Sequence, residues 1–183
     1  MKKMILIGGD LAAGKSSFSK KITAELDIVS INKDTIKEIL GDNFGFKNRE
    51  ENLNLSKCSF DLILHFANNL MDSNNSFVLE SNFRDHELDK LVILAREYDY
   101  EILSVLLQGD IPIMHNRFME RLNKDRHIVH KSQDLSKYED FYELTVNMRK
   151  INYPGIVMEI DVTDFDILYS NETMLRIKDF CYR

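Results

Sequence analysis

The chain has 183 residues, 44% hydrophobic and 30% charged, with a formal net charge of −6. This length predicts one domain with a real core, and no apolar run is long enough to span a bilayer. The acidic balance disfavours a protein that wraps nucleic acid, because phosphate neutralisation supplies most non-specific affinity there. Cys58 and Cys181 lie far apart without metal-ligand spacing, so reduced thiols are expected. With no signal-peptide pattern at the start, a cytoplasmic protein is expected.

Strand-like and helix-like patterns alternate along the chain, which predicts an α/β domain with a five-stranded parallel sheet. Lys2 to Gly8 is the first strand. It runs into Gly9-Asp10-Leu11-Ala12-Ala13-Gly14-Lys15-Ser16, which fits the pattern G-x-x-x-x-G-K-[ST]. Such a loop turns successive backbone N–H groups toward phosphates, above a helix N-terminus. Lys15 would place a point charge on the terminal phosphates, and the Ser16 hydroxyl would hold Mg²⁺; Gly9 to Ser17 as a whole is expected to cradle the nucleotide. A helix over Lys15 to Leu26 follows, with Phe18, Ile22 and Leu26 on one face.

Ile28 to Asn32 reads as the second strand and Thr35 to Leu40 as a helix, with Asp34 at the junction. Asp34 can cap that helix, and it can also orient an attacking hydroxyl and accept its proton. Lys37, one turn further on, can hold an anionic part of an acceptor or sit in solvent. A long helix over roughly Glu50 to Asp72 carries Leu55, Ser59, Leu62, Ile63, Phe66 and Leu70 at helical spacing, a stripe expected to face the core.

The third strand, Ser76 to Ser81, ends in Glu80, where loop proteins of this kind place a carboxylate near Mg²⁺. Asn82 and Arg84 just beyond it are candidate acceptor contacts. Asp85 to Tyr98 reads as a helix, Tyr100 to Gln108 as a strand and Ile111 to Leu122 as a helix. Each strand is apolar enough to suggest burial on both faces. His115 to Lys131 carries a local charge of +3 and three of the five histidines. Arg117, Arg121 and Arg126 lie here, and a segment of about 123–135 is the natural lid over phosphates, with Arg121 and Arg126 as the preferred catalytic pair. Ser136 to Ile151 (helix), Gly155 to Asp161 (strand) and Asn171 to Tyr182 (helix) complete the pattern. The turn from Val162 to Asp166 is where adenine contacts are expected.

A guanine-reading N-K-x-D is missing: the two N-K pairs read Asn32-Lys33-Asp34-Thr35 and Asn123-Lys124-Asp125-Arg126. Asp42 to Gly45 spells D-x-x-G, but after a helix, so it is set aside as chance. No H-x-x-x-H or C-x-x-C pattern suggests structural zinc. What remains is ATP- and Mg²⁺-dependent transfer of a γ-phosphoryl group to a hydroxyl. A small metabolite, nucleoside, sugar or antibiotic is the first acceptor class, and a polynucleotide 5′-hydroxyl the second. A regulatory ATPase that transfers nothing is the rival from another class.

From Met1 to about Ile160 the chain resembles small P-loop kinases related to the 5′-kinase domain of bacteriophage polynucleotide kinase, and more loosely zeta toxins and chloramphenicol phosphotransferase. The carriers are I-L-I-G-G-D-L-A-A-G-K-S, I-N-K-D-T-I-K around Asp34, F-V-L-E-S-N-F around Glu80, and R-L-N-K-D-R ending at Arg126. The resemblance implies a three-layer α/β/α P-loop NTPase fold with a short helical lid. It gives Lys15 the phosphates, Asp34 the acceptor hydroxyl, Lys37 the hold on the acceptor, and Arg121 and Arg126 the clamp on the donor. Lys37 after Asp34, where the polynucleotide kinases tend to have Arg, Glu80 in place of Asp, and the lack of a following phosphatase domain depart from that family.

Overall fold

The computed structural model describes residues 2–122, 127–131 and 134–182. In chain order the regular elements are β1 (Lys3–Gly9), α1 (Lys15–Leu26), β2 (Val29–Asn32), α2 (Lys33–Phe44), α3 (Arg49–Asp72), β3 (Phe77–Glu80), α4 (Asp85–Glu97), β4 (Glu101–Gln108), α5 (Ile111–Leu122), α6 (Tyr138–Met148), β5 (Ile156–Asp161) and α7 (Asn171–Tyr182). Short 3-10 turns occupy Ile128–His130 and Phe165–Tyr169. All strand pairs are parallel, and the sheet order is β2-β3-β1-β4-β5. Among the described helices none is long and apolar enough to cross a membrane.

The period-2 alternation of strand side chains divides the core into two layers. Ile5 and Ile7 of β1 point into a cluster with Phe18 and Ile22 of α1, Met114 and Phe118 of α5, Phe141 of α6 and Ile177 of α7. Met4 and Leu6 point the other way, against Phe60 and Ile63 of α3 and Leu88 and Leu91 of α4. Met4 to Ile7 have no exposed surface, as a central strand covered by helices on both faces requires. The connection β1-α1-β2 leaves room for β3, and the chain then crosses to the other flank of β1 for β4. The reversal puts a crevice above the C-terminal end of β1, where ligands bind in such sheets.

Three expectations need correction. β2 and β5 are edge strands and are not buried on both faces: Val29 is 51% and Ile156 54% exposed, because one flank of each has no neighbouring strand. In α3 the buried stripe is Asn52, Leu55, Ser59, Phe60, Ile63, Ala67 and Met71, while Leu62 and Phe66 face outward. Apolar residues cover two adjacent faces of this helix, and the docking against β3 and α4 chose between them. α2 begins before Asp34 and runs past Leu40. Its N-cap is Asn32, whose Oδ1 accepts from the Thr35 N–H at 3.0 Å, so Asp34 is no cap and lies in the first turn. Gly41 within α2 makes a poor helix former useful: a Cβ there would meet Val129 Cγ1 at 2.4 Å.

Candidate active site

β1 delivers the chain to the crevice and Gly9 turns it, with φ at +119° and no room for a side chain, since a Cβ would lie 2.1 Å from the Leu107 carbonyl. Ala12 (φ 59°) and Gly14 (φ 83°) are left-handed, and such residues curl a backbone into an anion-binding concavity. Gly14 is the N-cap of α1, and no side chain caps the helix. The N–H groups of its first turn are therefore donors for an anion, supported by the helix dipole. Lys15 donates to the Asp10 carbonyl at 2.6 Å and the Gly9 carbonyl at 3.2 Å. Burial lowers its pKa to about 8, against the opposing pull of Asp34, Glu80 and Asp10; Arg121 adds to the lowering.

Asp10 serves the loop differently from its neighbours. Its carboxylate is fully buried and turned away from the phosphate side, accepting from Arg149 Nε at 3.1 Å, Arg149 Nη2 at 2.5 Å and the Gly109 N–H at 3.0 Å. Only its backbone faces Lys15. Arg149, at the C-terminal end of α6, was not among the residues expected from sequence. A signal for it existed: a carboxylate inside an anion-binding loop must be neutralised by a cation from elsewhere.

The registers of the sheet assemble the metal side. Glu80 lies opposite Ile7 of β1 and Asn32 of β2, which brings its carboxylate to α1. Ser16 Oγ donates to Glu80 Oε1 at 2.6 Å, and Asn32 Nδ2 reaches Ser16 Oγ at 3.5 Å. Burial raises the Glu80 pKa; the Ser16 and Asn32 hydrogen bonds and Lys15 pull it back. A hydroxyl and a carboxylate side by side next to the phosphate lysine are hard oxygen donors of the kind Mg²⁺ takes. The residues present therefore fit a Mg²⁺–nucleotide.

Asp34 lines the same crevice as Lys15, Ser16, Glu80, Asn82, Arg117 and Arg121, a space of about 420 Å³. Its position is fixed from below. The adjacent Lys33 is buried in an ion pair with Glu87, whose other oxygen accepts from the Arg84 backbone N–H at 3.0 Å. That arrangement ties the start of α2 to the turn after β3. Lys37 lies outside this lining and donates to the Val129 carbonyl at 3.3 Å; burial lowers its pKa, and Asp34 raises it. Arg84 is exposed at the far side of Asn82.

α5 brings two arginines over the loop. Arg121, on its last turn, faces the crevice. Arg117 is fastened, donating to the carbonyls of Val162 at 2.7 Å and Thr163 at 2.8 Å, with its guanidinium 3.7 Å above the Phe165 ring. Phe165 in turn lies at 3.1 Å from where a Gly14 Cβ would be. Arg126 and the rest of 123–126 lie outside the described residues. Residues 127–131 are docked on α2 and α3: Val129 is buried, Asn52 donates to its carbonyl at 2.9 Å, and His127 and His130 contact Asp42 and Glu38 at 2.9 and 2.8 Å.

A phosphate loop on a five-stranded parallel sheet, with a hydroxyl–carboxylate pair beside it and arginines above, defines a kinase-like P-loop protein. The family model described as zeta toxin matches residues 1–164, and the chain belongs to the zeta toxin family. Among solved structures, a provisional kinase from Chloroflexus aurantiacus J-10-fl superposes with a TM-score of 0.83 at 18% identity, covering 97% of both chains. A gluconokinase from Sinorhizobium meliloti 1021 gives 0.61 at 14% identity over 99% of this chain and 96% of its own, and a shikimate kinase from Bacteroides thetaiotaomicron 0.59 at 14% over the whole of both. At these identities the likeness is one of fold. No curated protein matches the chain significantly.

Proposed function

We propose that this protein is an ATP-dependent kinase that moves the γ-phosphoryl group to a hydroxyl of a small molecule. One observation carries this reading: a single crevice gathers Lys15, Ser16, Glu80, Asp34 and Arg121. A nucleotide-binding switch needs the first three; a free carboxylate facing them is what an alcohol acceptor adds. The solved neighbours named gluconokinase and shikimate kinase agree with a small acceptor. The net charge of −6 works against a polynucleotide end.

In this reading the loop N–H groups and Lys15 bind the β- and γ-phosphates, and Ser16 and Glu80 would hold Mg²⁺, which would supply neutralisation of phosphate charge. Asp34 orients the acceptor oxygen and accepts its proton as the oxygen–phosphorus bond forms. Arg121 stabilises charge on the phosphoryl group in flight, and Arg126, in a lid of about 123–135, is its proposed companion. Arg117 and Phe165 form a platform beside the Val162–Asp166 turn for the adenine. Asn82 and Arg84 contact the acceptor; Lys37, engaged with Val129, acts on it through charge.

The test is a screen of radiolabelled ATP against alcohols, sugars, nucleosides, antibiotics and 5′-hydroxyl oligonucleotides, with wild type and Asp34→Ala. Labelled product from the wild type alone, with nucleotide binding equal in both, supports the reading. ATP hydrolysis without any labelled acceptor, unchanged by Asp34→Ala, defeats it.

A further inference from the structure

Behind Asn82, against the first residues of the phosphate loop, lies a second cavity of about 200 Å³. Its walls are Phe83 from the turn after β3, Leu106 of β4, Leu144 and Met148 of α6, and Ile151 and Tyr153 from the link to β5. The cavity touches the first site through shared walls, since Asn82 lines both and Gly9 and Asp10 open the loop whose other end holds the phosphates. Its volume exceeds the roughly 150 Å³ of an apolar cavity that stays dry and admits a benzene ring.

Several polar groups around it already have partners, and Arg84 and Gln108 also line it. Asp10 and Arg149 satisfy one another, Arg149 also donates to the Gly109 carbonyl, and the Gln108 carbonyl accepts from the Val162 N–H at 2.8 Å. Tyr153 is desolvated, which pushes its pKa up against the opposing pull of the Phe83 backbone. One buried side-chain atom of the lining, Asn82 Oδ1, has no partner among the described residues. Leu144, Met148, Ile151 and Tyr153 are only partly buried, so the fold leaves apolar surface uncovered here. The rings of Phe83 and Tyr153 meet at 75° with centroids 6.3 Å apart, an edge-on corner into which another flat ring packs well.

We propose that this cavity is the acceptor's second subsite and that it takes an uncharged aromatic or alicyclic ring. Resting on the kinase reading above, the inference narrows the acceptor to an alcohol whose hydroxyl reaches Asp34 while a ring-bearing arm passes Asn82 into the cavity. A linear polyol or a bare sugar fits poorly. Each hydroxyl driven between Leu106, Met148 and Tyr153 would give up water for walls that offer few partners. A ring loses nothing of that kind and gains the burial of its own surface.

The test separates binding from chemistry. With methyl-labelled protein and saturating ADP, benzyl alcohol, cyclohexylmethanol, glycerol and glucose are titrated while the Leu106, Leu144 and Met148 methyl signals are followed by NMR. Saturable shifts of these methyls with the two ring alcohols, and none with glycerol or glucose, are expected. Leu144→Trp, which fills the cavity from α6, should weaken ring-alcohol binding at least about tenfold. Met148→Phe is the second variant should the first melt early. Equal binding of glucose, or ring-alcohol binding untouched by a folded filling variant, overturns the inference. Phosphorylation of polyols alone would do the same while leaving the kinase reading standing. Ring alcohols that bind here yet are never phosphorylated, in a protein that phosphorylates no other acceptor either, would sink the kinase reading and with it the acceptor role.

Discussion

The donor and acceptor halves of the crevice are built in opposite ways. On the donor side, eight consecutive residues fold back on themselves, and the binding groups are backbone N–H donors whose direction follows from the φ values at Gly9, Ala12 and Gly14. On the side proposed for the acceptor, no two neighbours in sequence supply the whole lining. Asp34 comes from α2, Asn82 and Phe83 from the turn after β3, Leu106 from β4, and Leu144 and Met148 from α6. One half is a local device that any α/β sheet can carry. The other is a convergence, free to change its lining without disturbing the first, as expected where one reaction serves different acceptors.

Mutations on the two sides should therefore fail differently. The largest effect is expected for Lys15→Ala, which should cut ATP turnover about 10²-fold or more while the circular dichroism spectrum stays native. Turnover within a factor of two of wild type would break the comparison at its root. Asp34→Ala should lower acceptor phosphorylation by about 10² to 10⁴ and leave nucleotide affinity, measured by calorimetry, unchanged.

Arg149→Met probes a residue that joins the halves, since it holds Asp10 beneath the loop and also lines the cavity proposed for the acceptor. It strands a fully buried carboxylate and should cost about 3 kcal/mol in urea unfolding, partly recovered when Asp10→Asn removes the orphan charge. An unrecovered double variant would show that the loss lies in packing.

The smallest effect is in pH. Lys15 titrates at about 8 in the folded chain against 10.5 when unperturbed. Nucleotide affinity should fall as pH rises through 8, by up to about tenfold over the next unit, and Lys15→Ala should flatten that limb. Stability runs the other way. Between pH 8 and 10.5 the unfolded chain binds more protons at this residue than the folded one, so its contribution to stability rises with pH across that window. Unfolding midpoints of wild type and Lys15→Ala should converge there.

How far the sequence could be read follows the same division. The alternation of strands and helices and the phosphate-loop pattern were legible because each depends on residues a few positions apart. The extent of α2 was not. Gly41 argues against a helix locally, and only the close approach of Val129, from far along the chain, explains a glycine there. The buried face of α3 was misjudged for a related reason: periodicity offers two faces, and the partner selects one. The pairing of Arg149 with Asp10 spans 139 positions, and no local pattern encodes it.

The amino-acid sequence by itself thus determined the phosphate-binding half, since backbone conformation at glycines and a lysine's charge are local properties. It also determined the alternation of elements that makes a parallel sheet. Only the tertiary structure decided which strands lie at the edges, which cation neutralises Asp10, and what the wall behind Asn82 is made of. These depend on how separate elements pack, and packing is settled by the burial of surfaces that meet only when the chain has folded.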